Sequence, residues 1–463
     1  MIVQQFFVGG IAHSSYLLGG AKTCAIVDPQ RDVQIYLDAA RTGGLKITHI
    51  LETHLHADFV SGHLDLAELT GARIYAPAHG VCSFDCAPLS EGDTFELEDM
   101  LISVLETPGH TPEHISYVVR DLGRGDEPAG VFCGDTLFVG DVGRPDLFPG
   151  QARELASALY DSLHGKLLQL PDFCEVYPAH GAGSLCGRAM TAKRTSTIGY
   201  ERRYNPALQL RDRAAFIDSL TNDMPAAPDH FSRCSALNGA GPALLRTLPP
   251  TVALPPRLFK ERSAREDTLV LDVRSFENFG GAHIPASWSI DINSNFATFA
   301  GWVLPPDKDI LLVAESPGQA QDAIVALRRV GFDRIPAYLE GGMHDWVTAG
   351  LHIARVPLIS AATFYAMCTG DRSFTLLDVR AVEEFAAQHI AGALNIPAPE
   401  LRTRFSELQP KRPLVVMCGS GRRSSLAVSL LQMHGFNEVY SVAGGIRGYA
   451  AAGYPLVCPA CTD

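Results

Sequence analysis

Residues 53–63 read Thr53-His54-Leu55-His56-Ala57-Asp58-Phe59-Val60-Ser61-Gly62-His63, directly after the apolar run Ile47 to Leu51. That placement predicts a loop at the end of a strand, with His54, His56 and Asp58 alternating along it. Two imidazoles and a carboxylate converging there form the nucleus of a metal site rather than a piece of core. Position 59 sets the nuclearity. In a two-metal version of this motif it has to be a ligand, and here it is Phe59, so one metal ion is expected and not two.

The chain around this stretch has 463 residues, too many for a single hydrophobic core, so two to four domains are expected. Hydrophobic residues at 46% and charged residues at 19% are those of a globular protein. The net charge of −13 argues against a nucleic-acid partner, which calls for a basic face to displace counterions. It leaves open small anionic substrates held by local arginines. No apolar run reaches the roughly 18 residues of a membrane span. Gln4, Gln5 and His13 interrupt any signal-like segment, so no membrane partner and a cytoplasmic location are the expectations. The 11 cysteines are then read singly, not as a disulfide framework.

Strand-like pieces at Ile2 to Val8, Ser15 to Leu18 and Cys24 to Val27 lead into a helical stretch, Val33 to Thr42, for which Asp32 is a candidate N-cap. Later strands, Leu101 to Glu106 and Gly130 to Cys133, each end in a polar motif. Strands alternating with helices, with chemistry at strand ends, predict a layered α/β domain over 1–250. The rest of the chain repeats itself. Leu269-Val-Leu-Asp-Val-Arg274 returns as Thr375-Leu-Leu-Asp-Val-Arg380, His283-Ile284 as His389-Ile390, and Gly341-Gly342 with Trp346 as Gly444-Gly445 with Tyr449. A period of about 100 residues means domain duplication, not a solenoid. The two copies are placed at 257–353 and 357–463. Linkers are expected at Pro249 to Pro256 and near Ala354 to Pro357.

Four further motifs accompany His54: Thr107-Pro-Gly-His-Thr-Pro-Glu-His114, Cys133-Gly-Asp-Thr-Leu-Phe138, Gly140-Asp-Val-Gly-Arg-Pro-Asp146 and Tyr177-Pro-Ala-His-Gly181. Each sets a His or Asp among small residues that let the backbone turn sharply. The segment resembles the metallo-β-lactamase fold, which implies an αββα sandwich with metal at one edge. Val3-Gln-Gln-Phe6, Asp28-Pro-Gln-Arg31 and Thr111-Pro-Glu-His114 extend the resemblance to persulfide dioxygenases fused to two rhodanese-like α/β domains. That resemblance implies one Fe(II) per chain held by His54, His110 and Asp135. His56, Asp58 and His180 then orient ligands or contact substrate, and Arg144 is a candidate for a substrate carboxylate or phosphate. Two His and one carboxylate leave about three open positions on Fe(II), room for persulfide sulfur and O₂ together.

In the last copy, Leu414 to Met417 ends at Cys418, followed by Gly419-Ser-Gly-Arg422-Arg423-Ser424 and a predicted helix. Amide N–H groups, the helix dipole and Arg422 and Arg423 favour an anion there. A cysteine in that cradle is a nucleophile. The stretch resembles an active rhodanese, whose Cys carries sulfane sulfur. Asp378 and Arg380 are read as structural. Counting back from the Gly-Gly pairs sets Glu315 opposite Cys418, and Gln319 and Ala320 opposite the arginines, so the middle copy is expected to be silent. Cys186 follows His180 in a Gly-rich loop and so is a candidate neighbour of the metal, with a structural role favoured; Cys458 and Cys461 are read as an exposed tail, and Cys82 and Cys86 as without partners.

These readings imply an enzyme that oxidises a low-molecular-weight thiol persulfide with O₂ to sulfite and free thiol, and moves sulfane sulfur between persulfides and sulfite or thiosulfate through Cys418. A homo-oligomer is expected. Two other classes compete. One is a zinc-dependent thioester hydrolase of glyoxalase II type with accessory rhodanese domains, since zinc in the same ligands cannot reduce O₂. The other is a non-enzymatic sulfur carrier. The sequence does not name the thiol, and residues 195 to 250 are the candidate cap over the metal site.

Overall fold

A computed structural model of the chain describes residues 1–463 except 189, 223, 225–226, 371–372 and 459–463. The chain divides into two compact units, Met1–Leu248 with Arg328–Gly331, and Pro249–Leu327 with Phe332–Asp463.

The first unit contains two six-stranded sheets. One runs Ile2–Val8, His13–Gly19, Thr23–Val27, Lys46–Leu51, Arg73–Pro77, Ala87–Leu89; the other runs Ser196–Thr197, Glu175–Pro178, Pro128–Gly134, Ile115–Asp121, Met100–Glu106, Thr94–Leu97. Alternation explains how they stack. Met100, Ile102 and Val104 sit at every second position of their strand, and all three are buried against Tyr16, Leu18, Val27 and Leu51 of the opposite sheet. Helices cover both outer faces. Tyr36 and Ala40 of Gln34–Gly43, with Leu66 of His63–Thr70, pack on Leu17, Ile26 and Ile50. Ala156 and Leu159 of Ala152–Asp161, with Phe216 and Leu220 of Arg213–Thr221, pack on Val131, Cys133 and Val176. This is the αββα order expected from the sequence. Val33, not Asp32, occupies the N-cap of Gln34–Gly43, without a side-chain cap bond.

The second unit holds two five-stranded parallel sheets of the same order. One is Val252–Leu254, Ala337–Leu339, Asp309–Val313, Thr268–Asp272, Trp288–Ser289; the other is Leu358–Ile359, Val439–Val442, Leu414–Met417, Thr375–Asp378, Leu394–Asn395. The proline-rich stretch expected to be a linker therefore supplies an edge strand. The duplication extends to side chains. Arg274 forks onto Asp272 and donates to the Ala282 carbonyl, as Arg380 does to Asp378 and Gln388. His283 and His389 each bond the carbonyl of a stacked Phe four residues earlier. The reading of Asp378 and Arg380 as structural fits this geometry.

Strand register corrects one alignment. Asp272 pairs with Val313 and Asp378 with Met417, so Ala314, not Glu315, is the counterpart of Cys418. A side chain on Gly342 would meet the Ala314 carbonyl, and one on Gly445 the Cys418 carbonyl. The helices begin at Pro317 and Arg422. The middle loop is thus one residue shorter, and Pro317 and Gly318, not Gln319 and Ala320, stand where the arginines do. The middle copy still has no thiol at that strand end.

Candidate functional site

His54, His110 and Asp135 follow three different strands and meet at one end of the sandwich. All three are at most 1% exposed. The Nε2 of His110 lies 3.2 Å, and that of His54 3.9 Å, from Oδ2 of Asp135. None of these three atoms has a hydrogen-bond partner. Buried polar atoms left unpaired are costly, and three of them aimed at one point fit an ion. Ligand atoms about 2.1 Å from a metal stand ~3.0 Å apart at right angles, close to the His110–Asp135 spacing.

The surroundings fix each ligand. Thr53 Oγ1 donates to the Asp28 carboxylate and so receives the Nδ1 proton of His54 at 2.9 Å. His110 Nδ1 donates to the Arg144 carbonyl at 2.9 Å. Both rings are thereby locked in the tautomer that leaves Nε2 to a metal. Burial lowers the pKa of both imidazoles and keeps them neutral. Burial opposes charge on Asp135, yet His180 and His110 hold its carboxyl well below the usual range. The three donors are therefore deprotonated at neutral pH, the state a metal requires.

His180 bridges Asp135 Oδ1 at 2.7 Å and Asp58 Oδ2 at 2.8 Å. Burial works against its charge, but the two carboxylates raise its pKa well above the ordinary value. His56 turns away from the ligand set toward Asp28, at 3.1 Å, and Glu52. Phe59 is fully buried, its ring 4.0 Å from that of His13 and 4.4 Å from that of His56. The position that has to be a ligand in a two-metal version of the motif thus carries only hydrocarbon here. Arg144 is not positioned for a substrate anion. Its guanidinium forks onto Asp146 at 2.6 and 2.7 Å and donates to the Leu185 carbonyl; its part in the site is the carbonyl that orients His110.

Other residues were not legible beforehand. Asn238 donates to the carbonyls of His56 and Phe59 and accepts from the Ser61 amide, each at 2.8 Å. It clamps the 56–61 loop from a helix, His230–Ala240, about 180 positions away, and nothing local in the sequence marks it. Its helix lies within the candidate cap 195–250, whereas Arg202 instead bonds the carbonyls of Leu168 and Leu170. Cys186 lies beside the site, the alternative its loop after His180 allowed. Its thiol is grouped with Asp58 and His180 and close to Asp135, and burial, with both carboxylates, keeps it protonated. Cys82 and Cys86 are neighbours in space and both are free thiols, as read. Cys458 is half-buried rather than exposed, next to Val457, which bridges His389; Cys461 lies outside the described residues.

Gly143 tests the packing. A β-carbon there would stand 1.9 Å from the Asp135 carbonyl oxygen and 3.1 Å from His110 Cβ. Gly143→Ala is expected to displace both ligands and lower metal content at least ~10-fold, read by metal analysis of the purified protein. Unchanged metal content would contradict this geometry.

In the second unit, Cys418 is 1% exposed and its Sγ accepts the Gly421 amide at 3.1 Å. The loop turns through Gly421 at φ 114° into the helix Arg422–Met433. Arg423 is tied to Glu384, one bond at 2.8 Å. Arg422 is half-exposed and faces Asp291 of the middle copy at 3.8 Å. The middle copy also packs on this helix through Ser289, which bonds Ser425 at 3.0 Å and Ser429 at 3.1 Å. Phe276 lies against Gly421.

The first unit is thus an αββα sandwich with a candidate metal site, and the second a duplicated α/β domain with a candidate nucleophile in one copy. Residues 8–180 match the metallo-beta-lactamase superfamily, and residues 255–349 and 360–452 the rhodanese-like domain. The chain is 36% identical to a metallo-beta-lactamase from Staphylococcus aureus subsp. aureus COL, with a TM-score of 0.67 over 73% of this chain and 98% of that one. It is 37% identical to a hydroxyacylglutathione hydrolase of Gloeobacter violaceus over 35% of this chain, and spans 59% of that relative's length. It is 29% identical to the mitochondrial persulfide dioxygenase ETHE1 of Bos taurus, over 45% of this chain and 77% of that protein. The chain belongs to the metallo-beta-lactamase superfamily, in a fusion with two rhodanese-like domains. No helix among the described residues is long and apolar enough to cross a membrane.

Proposed function

We propose that the first domain is an Fe(II) persulfide dioxygenase and that Cys418 carries sulfane sulfur. The observation behind this reading is the His54, His110 and Asp135 set, beside which Asp58, His180 and Cys186 form a second group able to hold an ion. Two neutral imidazoles and one carboxylate converge with unpaired donor atoms, and Phe59 holds the motif position that has to be a ligand in a two-metal version. Bound there, iron would supply O₂ activation, chemistry that zinc cannot perform. His54, His110 and Asp135 would hold it, while His180 fixes the Asp135 carboxylate. The overall change is RSSH + O₂ + H₂O → RSH + SO₃²⁻ + 2 H⁺. The S–S bond breaks, the terminal sulfur loses four electrons, and O₂ gains them. A second persulfide passes its outer sulfur to the Cys418 thiolate and leaves as the free thiolate; sulfite then takes that sulfur from Cys418, giving thiosulfate and freeing the Cys418 thiolate and a proton. Asp378 and Arg380 brace the strand end that carries this cysteine.

The resemblance to a hydroxyacylglutathione hydrolase keeps a zinc thioesterase in view. Anaerobically purified protein is expected to contain one iron per chain and to consume one O₂ per persulfide. Stoichiometric zinc with thioester hydrolysis, and no O₂ uptake, would overturn the proposal.

A further inference from the structure

A cavity of about 540 Å³ opens beside the metal ligands. Leu55, Ala57 and Thr111 in its wall are sequence neighbours of His54, His56 and His110, and Phe231 in the same wall packs with Ala57 and Cys186. The cavity therefore abuts the loops that carry the ligands. Its lining is chemically one-sided. Of the 14 lining residues, 10 are apolar or glycine and the others are Ser83, Thr111, Ser232 and Ser235; among the described residues none is charged. Thr111 is 1% exposed, and its hydroxyl has no protein partner. The arginines nearest in sequence to this wall are engaged elsewhere: Arg233, next to Ser232, donates to the Val330 carbonyl at 2.8 Å, and Arg144 is committed to Asp146. Glu113, largely buried behind Leu55, accepts that residue's amide at 3.1 Å. An anion entering here would leave water for an uncharged wall backed by another carboxylate, and no cation would compensate it.

We infer that the cavity takes a thiol carrier whose stem next to the sulfur is uncharged: apolar, or bearing neutral amides that the threonine and serine hydroxyls can bond. This rests on the persulfide reading above and narrows its substrate. Cysteine carries two charges beside its sulfur. Glutathione places a carboxylate one residue away, at ~3.5 Å per residue. A short neutral thiol such as N-acetylcysteamine satisfies both the walls and the unpaired Thr111 hydroxyl.

Two readouts on the full, metal-loaded chain test this. Calorimetry compares binding of N-acetylcysteamine, glutathione and cysteine, and O₂ uptake compares their persulfides. The neutral thiol is expected to bind at least ~10-fold more tightly, and its persulfide to show at least ~10-fold higher kcat/KM, than either charged one. Ala236→Arg, which sets a cation in the wall, is expected to reverse the order in favour of glutathione. Tighter binding and faster turnover of glutathione in the unaltered protein would overturn the inference and leave the dioxygenase reading intact. Preferential binding of the neutral thiol with no O₂ uptake from any persulfide would support the cavity assignment and overturn the dioxygenase reading instead.

Discussion

Asp135→Ala is expected to remove metal binding and O₂ uptake together, with activity falling by more than ~100-fold and metal content by a similar factor. Changes to groups that merely orient a ligand cost about 10–100-fold, and Asp135 is a ligand in the proposed set and its single anion. His180→Ala provides the comparison. It removes the bond that fixes Asp135 Oδ1 but leaves all three proposed ligands, so a loss within ~10–100-fold is expected. The two variants should therefore separate in metal content under equal metal supply. A thermal melt controls for folding, because both residues are fully buried. Full metal retention by Asp135→Ala would remove this site from consideration.

The second large effect is expected from Cys418→Ser. Sulfur transfer from thiosulfate should drop to the uncatalysed background, because a serine hydroxyl at neutral pH neither attacks a sulfane sulfur nor holds one. O₂ uptake with supplied persulfide should persist within about twofold, since the proposed metal ligands all lie in the first unit. The fold should tolerate the change, as serine retains an acceptor for the Gly421 amide. Equal loss of both activities would show that the two chemistries do not occupy separate sites. Ala314→Cys is not expected to awaken the middle copy: its loop is one residue shorter, and Pro317 begins the helix there.

Much of the architecture was legible because its signals are local. The His54 motif, the paired Leu-Asp-Val-Arg strands and the Cys418 loop each fit within about a dozen residues, and backbone geometry follows directly from such patterns. What was missed depends on distance or on a single-residue shift. Asn238 and the Thr53–Asp28 pair support the site from far along the chain. Arg144 looked available because its partner, two residues away, could equally have faced solvent. Glu315 was set opposite Cys418 because counting from the Gly-Gly pair ignores a shortened loop, and only strand register reveals the offset. The Gly-rich loop after His180 made Cys186 a possible neighbour of the metal, but a structural role was favoured; its proximity to Asp58 and His180 is a tertiary fact.

The middle copy's contacts with the Cys418 helix bear on how this sulfur-handling module can be moved between proteins. Cut out alone, residues 357–463 would expose a flank that now rests on Phe276 and on the hydroxyl of Ser289. Ser425 and Ser429 would have to find other partners, and Gly421 would lose the ring beside it. A transplant of this chemistry should accordingly carry both halves of the duplication, the degenerate one serving as a splint for its working twin.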